Sequence, residues 1–241
     1  MNKINDHVSL ESILTREINY WQNTRSTLQP AKALPVNITL SFDHGTKINE
    51  LADRIGKSLN WKVYDRELVD YIASNSNVRK EIIKSFDEQD RSQIELIIST
   101  IFNNQTLSSE TYFRFLVDTI TSISQHGSAI FLGRGSHVIV PSSRALKIRL
   151  VENPEDRIKN LMGVNINKDD AAKDIKAGAN KKSAFLERFF LQKKEDMSFY
   201  DLIINMSTLS METAESIILT ALQKKFNLSM EQLFFSEKRA S

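Results

Sequence analysis

The stretch Asn37-Ile-Thr-Leu-Ser-Phe-Asp-His-Gly-Thr-Lys-Ile-Asn-Glu-Leu-Ala52 reads as a buried strand, a tight turn and the opening of a helix. Asn37 to Ser41 follow Pro35 and are short, apolar and partly β-branched, which suits a central strand. Gly45 supplies the turn, and Leu51, Ala52, Ile55 and Leu59 then recur at helical spacing. A strand–loop–helix unit near the start of an α/β chain is where phosphates bind. The loop's backbone N–H groups and the positive end of the helix macrodipole both point at the ligand. This loop is poor in glycine, however. A Walker A loop needs G-x-x-x-x-G-K-[ST], whereas Gly45 is followed by Thr46, Lys47, Ile48 and Asn49. The branch of Ile48 obstructs close approach of backbone to phosphate and disfavours positive φ. On the loop alone, a nucleotide site and an ordinary βα turn stand level.

Outward from this unit, Trp61-Lys-Val-Tyr64 reads as a second short strand. Asp65 then caps a helix running to about Ser74, with Glu67 in its first turn. Arg66 in that turn opposes the dipole preference, as a cation held at a strand's carboxyl end for an anionic ligand would. A mostly helical region follows from Val78 to Gln125, with apolar stripes through Ile82, Ile83 and Phe86, through Ile94, Ile97, Ile98 and Ile101, and through Phe113, Leu116, Val117, Ile120 and Ile123. Gly127 to Leu132 is an apolar strand ended by Gly133-Arg134-Gly135. The glycines let backbone approach a ligand, and Arg134 offers a planar fork of donors suited to phosphate. In an open parallel sheet, ligands sit just beyond such strand ends. The plainer alternative is a βα turn with a surface arginine.

Ala145 to Val151 is the next strand, and Asn153-Pro154 opens the helix that carries Arg157. Residues 163–198 are polar, helical and lysine-rich, and include Lys181, Lys182 and Arg188. The Lys181-Lys182 pair alone reads more simply as a solvated face. Tyr200 to Asn205 is the last strand, and Met211 to Phe226 the closing helix. Five candidate strands joined by helical crossovers predict a three-layer α/β fold with a parallel five-stranded sheet.

The 241 residues suffice for one sizeable α/β domain, and 41% are apolar, so a substantial core can form. The net charge of +2 gives no argument for nucleic acid or an anionic membrane as partner. The absence of cysteine excludes disulfides, thiolate metal sites and cysteine nucleophiles. No apolar run reaches the roughly 18 residues of a membrane span, and the first residues lack a secretory signal pattern. A cytoplasmic protein is expected. Before the first strand, Leu10, Ile13, Leu14, Ile18 and Trp21 form an amphipathic stripe, with Ser9 as N-cap. It reads first as packing on the chain's own domain and second as a homo-oligomer contact. Residues 1–34 are thus an N-terminal helical extension and linker, and 227–241 a tail whose Leu228, Leu233, Phe234 and Phe235 can dock on the body or on a partner. The four histidines are not at metal-ligand spacing, and no metal site is expected. Asp43 reads as a turn residue bonding its own backbone, with magnesium contact as the alternative.

Four stretches together resemble the cytidylate kinase-like proteins, within the nucleoside monophosphate kinase group: Ile38-Thr-Leu-Ser with Gly45 and Glu50-Leu-Ala; Val63-Tyr-Asp-Arg-Glu-Leu68; Ile130-Phe-Leu-Gly-Arg-Gly135; and Tyr200-Asp-Leu-Ile-Ile-Asn-Met-Ser207. The resemblance implies a P-loop kinase-like fold over 35–226, with acceptor-binding helices at 78–125 and a basic lid at 163–198. It implies transfer of a γ-phosphoryl from ATP, with Mg2+, to a nucleoside monophosphate such as CMP. Gly45, Thr46 and Lys47 then lie in the phosphate loop, with Arg157 and Lys182 near the donor. Asp65, Arg66, Gly133, Arg134 and Gly135 face the acceptor. Lys47, Arg134 and Arg188 are the residues it casts as catalytic. The chain departs from the family's Gly-Ser-Gly-Gly-Arg/His-like loop, and lid arginines expected near Lys182 and Ser183 reduce to one lysine. These losses imply the alternative of a catalytically weakened nucleotide- or partner-binding protein acting as sensor or scaffold.

Overall fold

A computed structural model describes residues 12, 14–21, 35–86, 88–103, 110–162, 166–190 and 195–229. Its centre is a five-stranded sheet of β1 (Asn37–Phe42), β2 (Lys62–Tyr64), β3 (Ala129–Leu132), β4 (Ala145–Val151) and β5 (Leu202–Asn205), in the order β2-β3-β1-β4-β5. Every pairing is parallel. β1 lies in the middle, with Asn37 facing Ala129 on one side and Ala145 on the other; β4 pairs along all of β1 and β3 along Asn37 to Leu40. The chain leaves β1 toward one edge and returns to build the other. This creates the crevice at a strand's carboxyl end where doubly wound sheets hold ligands.

Side chains alternate across a strand, so the central strands carry two different faces. Ile38 and Leu40, with Ile130, Leu132, Leu146, Ile148 and Leu150, form one apolar face. It is covered by α1 (Ile48–Leu59), through Leu51, Ala52, Ile55 and Leu59, and by the closing helix Met211–Phe226, through Ala214, Ile218 and Leu222. The opposite face is mixed. Tyr64 and Phe131 are apolar, but Asn37, Thr39, Ser41, Lys147 and Arg149 are also buried there. α2 (Arg66–Ser74) and α5 (Thr111–His126) pack over its β2–β3 half, with Phe113, Leu116, Val117, Ile120 and Ile123 fully enclosed. Between them run α3 (Ser76–Lys84) and α4 (Glu88–Asn103). After β3 come the single turn α6 (Ser136–Ile139), then α7 (Pro154–Leu161) and the long α8 (Lys168–Phe190). Among the described residues no helix is long and apolar enough to cross a membrane.

The apolar stripe before the first strand packs on the chain's own core. Leu14 and Trp21 join the cluster of α2 and α5, with Ile18 and Tyr20 against it. The Trp21 indole stacks on the His126 imidazole at 4.0 Å between centroids, and His126 in turn stacks on Phe86 at 4.1 Å. The first of the two uses read from the sequence is therefore the one these side chains make. Ser9, Leu10, Ile13, the linker through residue 34 and the tail residues Leu233, Phe234 and Phe235 lie outside the described residues.

If this docking contributes to the fold as its burial indicates, Trp21→Ala costs about 3 kcal/mol of stability. Urea unfolding checks it, and a loss below about 0.5 kcal/mol contradicts the docking.

Candidate functional site

The loop from β1 to α1 is closed in on itself. Gly45 sits at φ +93°, a conformation L side chains rarely adopt, which is why the turn needs glycine here. The Thr46 N–H donates to the Asp43 carbonyl at 3.1 Å, and the Ile48 N–H to the Thr46 carbonyl at 2.7 Å. Two donors that a phosphate-cradling loop would point outward are thus bonded within the loop. Ile48 does not block the loop's open side; its side chain is buried in the core beneath α1. The crowding comes from other helices. A Cβ on Gly45 would meet Arg157 Cβ at 3.0 Å and the Arg157 carbonyl at 3.1 Å. A Cβ on Gly178 of α8 would meet the His44 side chain at 2.5 Å. Asn160 donates to the Gly45 carbonyl at 3.1 Å, the Arg157 guanidinium to the His44 carbonyl at 3.4 Å, and His44 pairs with Asp174 at 2.8 Å. Thr46 is buried, whereas Lys47 is exposed at the start of α1.

Beside this loop, at the carboxyl end of β1, lies a cluster of opposite charges. Asp43 does not bond its own backbone through its side chain, as its place in a turn predicts. Its carboxylate takes Arg149 at 2.5 Å, with Lys182 at 3.9 Å, and only its carbonyl closes the turn. Arg149 Nε also faces Glu195 at 3.2 Å. Lys182 Nζ reaches both Glu195 oxygens, at 3.0 and 2.9 Å, and the Phe42 carbonyl at 3.3 Å. Ser41 donates to Glu195 at 3.0 Å, and the Tyr200 hydroxyl donates to the same carboxylate. Burial alone would raise the Glu195 carboxyl, but Lys182, the Tyr200 hydroxyl and Arg149 outweigh it and hold it down at about 2. Burial, with the Glu195 bond, raises the Tyr200 phenol far above its ordinary range.

Two further basic groups border the cluster. His137, on α6 and stacked on Tyr200 at 4.8 Å, is pushed down to about 4, first by burial and then by Lys182, Lys147 and Arg149 against the pull of Glu195. Burial and the nearby Lys225 push Lys147 down to about 8. Arg149, Glu195, Tyr200 and Lys147 were not singled out by the sequence reading. Their one legible trace is the alternation of Lys147 and Arg149 in Ala145–Val151, two cations on one face of a strand that the fold buries.

The second site lies at the carboxyl ends of β2 and β3. Gly133, Arg134 and Gly135 are all left-handed, at φ 68°, 56° and 68°. The Gly133 N–H donates to the Leu40 carbonyl at 2.9 Å, anchoring the turn to β1. Gly135 cannot be replaced without moving Phe190, since a Cβ there would come within 2.0 Å of its ring. The turn delivers the Arg134 guanidinium onto the Asp70 carboxylate, 5.3 Å from the Phe185 ring. Asp70 also accepts from the Tyr112 hydroxyl at 2.8 Å, with Arg66 Nε at 3.7 Å. Burial and the Asp70 bond push the Tyr112 phenol up to about 12. Asp65 uses one carboxylate oxygen as the N-cap of α2, accepting from Leu68 N–H at 2.8 Å.

The fold thus brings Arg66 and Arg134 together through Asp70. Around the loop it gathers Gly45, Thr46, Lys47, Arg157 and Lys182, with Lys182 tied to Glu195. It does not bring Arg188 to that loop. Arg188 is exposed and forms a two-bond pair with Glu110, at 2.8 and 2.6 Å, at the start of α5.

The buried neutral His137 has a definite consequence for pH. Its folded value lies below the ordinary 6.5, so between about 6.5 and 4 the unfolded chain binds the extra proton. Stability therefore falls as pH drops through that window, by about 3 kcal/mol in total for this group. His137→Phe, which keeps a ring against Tyr200, should flatten the difference in unfolding free energy between pH 7 and pH 4. An unchanged slope contradicts the burial of a neutral imidazole.

The model of the cytidylate kinase-like family matches residues 37–208. No protein of curated function matches the chain. Among solved structures, an uncharacterized protein from Eubacterium ventriosum ATCC 27560 is similar at TM-score 0.54 and 14% identity, over 79% of this chain and 99% of that one. That is a likeness of fold alone. Shikimate kinase from Bacteroides thetaiotaomicron, at 12% identity, and TT1252 from Thermus thermophilus, at 14%, each reach TM-score 0.42. They overlap 80% and 78% of this chain and 99% and 98% of their own. The family match spans the loop after β1, the Arg134 turn, α8 and the closing strand, and on it the chain belongs to the cytidylate kinase-like family.

Proposed function

We propose that this chain binds a nucleoside monophosphate such as CMP beside Arg134, and that it is a catalytically weakened member of its family, acting as a sensor or scaffold. The observation that carries this is the Gly133-Arg134-Gly135 turn. Three consecutive left-handed residues, one of them an arginine, hold a guanidinium at a strand's carboxyl end. A non-glycine residue there is uncommon and is kept where the fold has a use for it. Arg134 and Arg66 are two cations sharing the single carboxylate of Asp70, an arrangement that favours an incoming phosphate. In this reading residues 78–125 line the acceptor side and 163–198 form the lid of a unit spanning 35–226.

The donor side fits its expected ligand poorly. The loop offers one glycine; its Thr46 and Ile48 N–H groups are bonded internally; and Arg157 and Ile175 fill the space beside Gly45. Asp43, the carboxylate placed to touch Mg2+, is paired with Arg149. These residues as arranged do not accommodate the triphosphate of ATP. One feature favours the other reading, an active kinase passing a phosphoryl from ATP to the monophosphate: Lys47 stays exposed at the exit of a loop whose His44 carbonyl takes Arg157 and whose Asp43 faces Lys182.

Calorimetric titration of CMP tests the proposal. A charge-assisted hydrogen bond to phosphate is worth about 1.5–3 kcal/mol, so Arg134→Ala should weaken CMP about 10- to 100-fold. No CMP binding by the wild type, or equal binding by the variant, contradicts it. Formation of ADP from ATP, Mg2+ and CMP that disappears in Lys47→Ala would establish the active kinase instead.

A further inference from the structure

The carboxylate of Glu195 sits in an arrangement that resembles a ligand site more than a surface ion pair. It accepts from Ser41 on β1, Lys182 on α8 and the Tyr200 hydroxyl, and it faces Arg149 on β4. Three of these four donors come from elements far from it along the sequence or from another layer of the fold. They meet at the carboxyl end of the central strand, where an open parallel sheet holds its ligand. Two cations and two hydroxyls converging on one point form the donor set that recognises an oxyanion. The group filling the position belongs to the chain, on the short segment between α8 and the single 3-10 turn Met197–Phe199. Glu195 and Arg149 side chains retain only 14% and 5% of their exposure, so the charges there must be balanced by something.

We infer that Ser41, Arg149 and Lys182 form an oxyanion site that Glu195 occupies in place of a phosphate, so that the chain plugs its own donor side. The ligand class is the polyphosphate group, free or on a nucleotide. The inference rests on the reading of a closed donor side and does not involve the monophosphate site at Arg134. Removing the Glu195 charge leaves Arg149 and Lys182 (+2) against Asp43 (−1), a local charge of +1 that a phosphate oxygen can answer. A purely structural role for the same network predicts something different: loss of Glu195 would destabilise the fold and create no affinity for anions.

Inorganic pyrophosphate is titrated into wild type, Glu195→Gln, and Glu195→Gln combined with Lys182→Ala. The plug predicts at least about tenfold tighter binding by Glu195→Gln than by wild type, and loss of that gain in the double variant. Pyrophosphate at 100 times its dissociation constant should also raise the melting temperature of Glu195→Gln by roughly 5 °C or more. If Glu195→Gln does not fold, Glu195→Asp keeps the charge and withdraws it by one methylene. Its pyrophosphate affinity should still exceed that of wild type. Titration of ATP in parallel identifies the source: tighter binding than pyrophosphate points to a nucleotide polyphosphate, equal binding to a free one, and either supports the site. Equal pyrophosphate affinity in wild type and the Glu195 variants overturns it, as does a gain that survives Lys182→Ala. CMP binding in the same Glu195→Gln protein reports on Arg134 alone, so failure of one proposal is distinguishable from failure of the other.

Discussion

The Glu195 carboxylate and the two cations it joins are the constraint around which the rest of this site is arranged. Arg149 lies on a central strand and cannot leave it, and its charge in so buried a place has to be met. Asp43 meets it from the loop after β1, and Glu195 from just before the 3-10 turn Met197–Phe199. The first pairing fixes the loop; the second draws Lys182, and with it α8, down over β1. Once α8 is there, Gly178 lies on His44 and Ile175 beside Gly45, and the loop has no room to open outward. A single electrostatic requirement on β4 thus reaches the geometry of a loop whose Asp43 lies 106 residues away in the chain. The same network accounts for the neutral imidazole of His137, which sits against Tyr200 among three cations.

The other half of the crevice follows a different physical rule. There the backbone does the positioning. A left-handed turn of three residues is costly for any residue but glycine, and the fold retains an arginine in the middle of it. The flanking glycines are needed for separate reasons: Gly133 bonds back to β1, and Gly135 leaves space for the Phe190 ring. Arg134 is only partly neutralised, because Asp70 is shared with Arg66 and with the Tyr112 hydroxyl. The two halves therefore differ in the balance of their charges: cations matched by carboxylates beside β1, and cations in excess beside β3.

Much of this was legible from residues alone. The five strands and their parallel arrangement follow from apolar runs separated by helical periodicity. The cap at Asp65, the proline opening α7 and the end of the closing helix fall where local chemistry puts them. The Arg134 turn announces itself, since glycines on both sides of an arginine after an apolar strand have few other uses. What could not be read was pairing across distance. Nothing in Glu195 or Tyr200 marks them as neighbours of Ser41, 154 residues away from Glu195 in the chain. Arg188, which the family resemblance sets on the lid side with Lys182, pairs instead with Glu110, because helical rotation sends it outward while Lys182 turns inward. Ile48 points into the core and not across the loop, because the residue after a tight turn can face either way.

A crystal structure of the chain grown with both CMP and MgATP tests the central claim most directly. The account predicts the CMP phosphate within hydrogen-bonding distance of Arg134, Glu195 still seated between Lys182 and Arg149, and no triphosphate along Asp43 to Lys47. A triphosphate lying in that loop, with Glu195 swung away from Lys182 and the Thr46 and Ile48 N–H groups turned toward it, would contradict the account.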